Sequence, residues 1–120
     1  MNAKAFLDFY KTQLVEKEIS IFTLKGNEYS GEVNRFQNFE KLANELALHP
    51  LEIAWVYASK HKDSIATFIK DKKVSSNEDI IGRINDYRNY LALIAGMIEK
   101  YRNLEEGHPW KIEKFNPVEI

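Results

Sequence analysis

Residues 48–71, LHPLEIAWVYASKHKDSIATFIKD, decide how this chain folds. At about 100° per residue, Ile53, Val56, Tyr57 and Phe68 fall on one arc of a helix, with Lys60 and Ser64 in its middle. His61 lies at the edge of that arc, beside Ala54 and Ile65. Glu52, Trp55, Ser59, Lys62, Asp63 and Lys70 take the solvent side. The projection predicts a long amphipathic helix, opened by Pro50 in its first turn, that turns Lys60 inward. Burying a lone charge costs several kcal/mol. An internal carboxylate or a bound anion is therefore expected beside Lys60.

The rest of the chain reads as helices around this one. A first helix is predicted from about Ala3 to Leu24, with Phe6, Tyr10 and Leu14 at helical spacing, although its end, EISIFTL, alternates like a strand. Gly26 and Gly31 bracket the loop KGNEYSGEVN. Asn34 is a candidate cap for a short helix carrying Phe36, Phe39, Ala43 and Leu46. After the polar loop KDKKVSSN, Ser76 and Asp79 resemble a capping box, and a fourth helix runs to about Leu104. The pattern predicts an all-α, four-helix bundle-like single domain over residues 1–106. An irregular tail, 107–120, carries Trp110, Ile112 and Phe115 and is expected to pack on the body or on a neighbouring subunit.

Composition narrows the function classes. The 120 residues include 17 basic and 18 acidic side chains, for a net charge of −1. No basic field favours duplex nucleic acid. With no cysteine, thiolate metal sites, thiol catalysis and disulfides are excluded, which fits a cytoplasmic location. No apolar run is long enough to span a membrane. His49, His61 and His108 lack metal-ligand spacing, and neither a nucleophile elbow, a P-loop nor a dinucleotide fingerprint occurs.

The fourth helix predicts two apolar faces. Ile80, Ile84, Leu91, Ile94, Ala95 and Ile98 form one stripe, read as the core. Gly82, Asp86, Asn89, Leu93, Gly96 and Met97, flanked by Arg83 and Tyr90, form the other. A helix apolar on both sides is sandwiched between layers, which predicts a homo-oligomer. The polar half of the second face has the makings of a pocket. Lys60, His61, Arg83 and Arg35 could neutralise phosphate or carboxylate, arginine in a bidentate fork. Asn38 and Asn89 could read a base edge or ribose. Tyr57, Tyr90, Phe36 and Phe39 could stack on a ring. Lys60 paired with Asp86, and Arg83 with Glu78, would instead staple helices together.

Three stretches, KGNEYSG with NRFQNFEKLANEL, PLEIAWVYASKHKDSI and EDIIGRINDYRNYLALIAGMIE, resemble a family. It comprises small all-α proteins encoded by phages and prophages, including nucleotide-modification-associated domains. The resemblance spans roughly residues 25–99 and rests on Lys25, Tyr29, Arg35, Asn38, Lys60, His61, Arg83, Asp86, Asn89 and Tyr90. It implies a nucleotide ligand and, for a phage protein, a place in the host cytoplasm. A more distant resemblance links the chain to MazG-type nucleotide pyrophosphatases, which hold Mg²⁺ with acidic pairs on facing helices. Here Glu28 and Glu32 sit in a loop, Gln37 precedes Glu40, and Asn89 follows Asp86 where a second carboxylate would be needed.

The expectation is a cytoplasmic homo-oligomer that binds a small phosphorylated ligand, a nucleotide, through Lys60, His61, Arg83, Asp86, Asn89, Tyr90, Arg35 and Asn38. No catalytic residue, metal or cofactor is assigned. In a phage setting it would act as an anti-defence sponge, sequestering a nucleotide immune signal without cleaving it. One alternative is a Mg²⁺-dependent nucleotide pyrophosphatase or hydrolase using Asp86, Glu78 and a loop acid. Another is a host-protein interaction module using Trp55 and the tail.

Overall fold

A computed structural model describes residues 1–28, 34–73 and 79–113, except for the side chains of 24–28. Tyr29, Glu32, Ser76, Glu78 and residues 114–120, with the side chains of Lys25 and Glu28, lie outside the described residues. The elements are α1 (Ala3–Phe9), a π-helical turn (Tyr10–Val15), α2 (Glu16–Glu28), α3 (Gln37–Leu46), α4 (Pro50–Asp71) and α5 (Ile80–Arg102). The first three run end to end as one rod, so the four predicted helices are present and the fold is all-α. EISIFTL is helical despite its alternation. A lone strand has no neighbour to take its backbone hydrogen bonds, whereas a helix satisfies them internally.

Local chemistry sets the boundaries. Asn2 Oδ1 accepts from the Ala5 amide at 2.8 Å and starts α1. Asn34 does not cap α3 directly; its Oδ1 accepts from the Phe36 amide at 3.0 Å, shaping the turn before the helix. Ala47, at φ 55°, ends α3. His49 then caps α4: its Nδ1 accepts from the Leu51 amide at 3.1 Å, while Glu52 reaches back to the His49 amide at 3.0 Å. Asp79 caps α5 through the Ile81 amide.

The core lies where α3, α4 and α5 meet, around Phe39, Ala43, Ile53, Ala54, Met97 and Tyr101. Two predicted helix faces are corrected there. In α4, Ala54 and Ala58 are fully buried while Val56 is 64 % exposed. Small side chains let helices approach closely, so the alanine ridge turns inward. The arc is thereby rotated toward His61, and Lys60 lies exposed, not buried. In α5 the predicted core stripe holds only in part: Ile94 packs against the core, Ile80 and Ile84 are half-buried, Leu91, Ala95 and Ile98 are exposed, and Met97 of the other face is buried. Gly96 helps to fix this orientation, because a Cβ there would lie 3.1 Å from Phe36 Cζ.

The start of the tail packs on the body. Trp110 meets Tyr101 edge-on at 6.0 Å, and the Ile112 amide donates to the Tyr101 carbonyl. Lys111 Nζ donates to the carbonyls of Arg102 and Leu104, closing the C-terminus of α5. His49 Nε2 donates to the Trp110 carbonyl at 3.0 Å, since its Nδ1 is already an acceptor.

Candidate ligand site

The buried alanine ridge brings one edge of α4 against the first half of α5, and four predicted residues meet there. His61 Nδ1 lies 3.2 Å from Arg83 Nη1 and 4.0 Å from Asp86 Oδ2. The His61 ring stacks on Tyr90, with centroids 5.4 Å apart and planes at 28°. Tyr90 in turn meets Tyr57 and Phe39, each at 6.4 Å, so an aromatic wall joins α3, α4 and α5 beside the charges. The wall is not sealed, since Tyr57 is 44 % exposed.

Charge is graded across the cluster. The His61 side chain is 15 % exposed and that of Asp86 is 56 % exposed. Burial pushes the His61 pKa below its ordinary 6.5. Asp86 pulls it back up, while the charges of Arg83 and Lys60 push it down. Lys60 is exposed at the rim, and no ion-pair partner for it occurs among the described residues. An exposed cation beside Arg83 and an imidazole that burial holds toward its neutral form could receive a phosphate.

Asn89 contributes differently. Its Oδ1 is buried with no hydrogen-bond partner among the described residues, although a buried unsatisfied acceptor costs about 1–3 kcal/mol. One turn earlier, Asn85 shares this state. It is only 6 % exposed; its Nδ2 donates to the Gln13 carbonyl in the π-helical turn, and its Oδ1 is unpaired. Asn85 escaped the sequence reading. The signal available was two asparagines four apart on a helix that otherwise buries apolar side chains.

Arg35 and Asn38 are not brought into the cluster, and among the described residues no hydrogen bond, ion pair or ring contact joins Asn89 to it. Arg35 Nη2 donates to the Phe22 carbonyl at 2.6 Å, tying the turn before α3 to α2. Asn38 lies exposed on α3. The predicted Lys60–Asp86 pair is replaced by His61–Asp86, and the predicted Arg83–Glu78 pair falls outside the described residues. Phe36 joins a different cluster, with Lys100 Nζ 5.7 Å from its ring centre. In that cluster Glu40 accepts from Asn34, Lys100 and Tyr101 at 2.6, 2.7 and 2.8 Å. Burial pushes the Glu40 carboxyl up, but these three hydrogen bonds outweigh it and hold the group below its ordinary 4.5. Burial and the Glu40 carboxylate push the Tyr101 phenol well above its usual range. This second cluster ties α3 to α5.

Among the described residues no three histidine or acidic side chains gather to hold a metal ion, and no helix is long and apolar enough to cross a membrane. Comparison with protein-family models, curated proteins and solved structures finds no match to the chain.

Proposed function

We propose that this protein binds a nucleotide at the α4–α5 edge. Lys60 and Arg83 would neutralise phosphate, Tyr90 and Tyr57 would offer ring faces, and Asn89 would accept from a base or ribose donor. The observation that carries this reading is the joining of a cationic rim to an aromatic wall around His61, with an unsatisfied amide oxygen on the same helix. Such convergence of a few polar groups beside aromatic surface is the usual make-up of a small-molecule site. Binding without turnover is favoured over hydrolysis because, among the described residues, the cluster offers two cations and an imidazole against a single carboxylate. The resemblance to small phage-encoded proteins extends the reading to a sponge for a nucleotide signal of host defence.

The purified protein is incubated with a panel of linear and cyclic nucleotides plus Mg²⁺, freed of unbound ligand, denatured and chromatographed. Intact nucleotide recovered in proportion to protein, and lost in Lys60→Ala with Arg83→Ala, is the expected outcome. A processed product would favour a Mg²⁺-dependent hydrolase, and nothing retained would overturn the reading.

We also propose self-association, supported by the apolar surface of the N-terminal rod. Phe6, Leu7 and Ile19 are all more than half exposed.

A further inference from the structure

His61 Nδ1 has two competitors. Arg83 can only donate, so its Nη1 at 3.2 Å needs the Nδ1 lone pair, and the ring proton then sits on Nε2. Asp86 Oδ2, 4.0 Å from the same nitrogen, can only accept when ionised. One nitrogen cannot serve both. Bare, it takes Arg83; protonated, it repels Arg83 and turns to Asp86. The stack on Tyr90 limits the ring's escape from this choice. Among the described residues, the groups around it are Lys60 from α4 and Arg83, Asp86 and Tyr90 from α5, with Tyr57 of α4 and the apolar Phe39 of α3 packed on Tyr90.

Resting on the nucleotide reading of this site, we propose that the anion is taken up together with one proton on His61 Nδ1, which makes the site selective for phosphate-class dianions and tighter as pH falls. The proton comes from solvent and forms the Nδ1–H bond. That hydrogen is then donated to Asp86, and Arg83 Nη1, displaced from the ring, turns to the anion. Without an anion, burial and the charges of Arg83 and Lys60 disfavour the imidazolium. A bound dianion between those cations counters their share of that opposition.

The test follows the His61 ring signals by NMR from pH 5 to 8, using the full chain with and without inorganic sulfate, whose charge is constant over this range. Saturating sulfate should raise the His61 midpoint by about one unit, which is a ~10-fold gain in affinity between the upper and lower ends of the range. In His61→Gln the affinity should vary less than about twofold, as expected once the linked proton is gone. Without sulfate, Arg83→Gln should raise the midpoint and Asp86→Asn should lower it. If His61→Gln does not fold, these two variants still decide the matter. A midpoint that ignores both substitutions, or ignores saturating sulfate, overturns the proposal. Sulfate bound equally at all pH values, with nucleotide still retained at pH 7.5, overturns the proton coupling alone. Neither sulfate nor nucleotide bound overturns this proposal and the nucleotide reading together.

Discussion

At the scale of single residues, two asparagines of α5 carry a cost in stability. Asn89 Oδ1 is buried without a partner among the described residues, so replacing the amide with an apolar isostere removes a cost and not a bond. Asn89→Leu is expected to leave stability unchanged or raise it by up to ~1 kcal/mol, while weakening nucleotide retention. Thermal melts read alongside ligand retention check this pair of outcomes, and a melting temperature lowered by several degrees would contradict it. His61 adds a pH dependence. Its folded-state pKa lies below the ordinary 6.5, so between those values the unfolded chain binds the extra proton. The stability this represents is present above about pH 6.5 and is lost as pH falls from there through the folded-state pKa. Urea unfolding at pH 7.5 and 5.5 should show that loss, and His61→Gln should reduce it. Residue types alone made His61, Arg83, Asp86 and Tyr90 legible as neighbours. Lys60 was misplaced because a projection treats Val56 and Ala58 as equal claimants to the core, whereas close packing favours the smaller side chain.

At the scale of elements, existence was easier to read than orientation. All four predicted helices form, since each carries a helical period and most carry a recognisable cap. The core face of α5 is legible only in part. Ile94 of the predicted stripe packs on the core, whereas Leu91, Ala95 and Ile98 are exposed, and Gly96, Met97 and Tyr101 from outside that stripe help to seat the helix. Those contacts depend on Phe36 and Glu40, more than fifty residues away, which no local period can register. Glu40 therefore gives the sharpest test of the α3–α5 joint. Glu40→Gln should cost about 1–2 kcal/mol at neutral pH, discounted for the part-exposed Lys100 partner. In the wild type this contribution is present above pH 4.5 and is lost as pH falls through the lowered Glu40 pKa. Urea unfolding of both proteins at pH 7 and pH 3.5 should show a smaller difference at the lower value. The His49 cap supports a second joint, because one imidazole serves both the start of α4 and the Trp110 carbonyl. His49→Ala should cost about 1–2 kcal/mol.

At the scale of the whole molecule, the N-terminal rod is the outlier. The radius of gyration is 17.5 Å, against about 14 Å for a compact chain of this length. The rod reaches α5 through Asn85 and through an Arg88–Glu18 ion pair, and Arg88 also lies 5.6 Å over the Tyr10 ring. Much of its apolar surface is left open. Oligomerisation predicted from α5 is thus better argued from this rod, and light scattering coupled to size exclusion should give more than one chain per particle. Phe6→Glu with Ile19→Glu should reduce it to a monomer without loss of helicity; a monomeric wild type would contradict the proposal. The central claim concerns the α4–α5 edge, and one measurement addresses it directly. A nucleotide retained by the protein is titrated into isotope-labelled chain, and the amide shifts are mapped. The largest changes are predicted at residues 57–61 and 83–90, leaving α1 and the tail unmoved. Changes confined to α1 or to residues 107–113, with His61, Arg83 and Tyr90 silent, would contradict it.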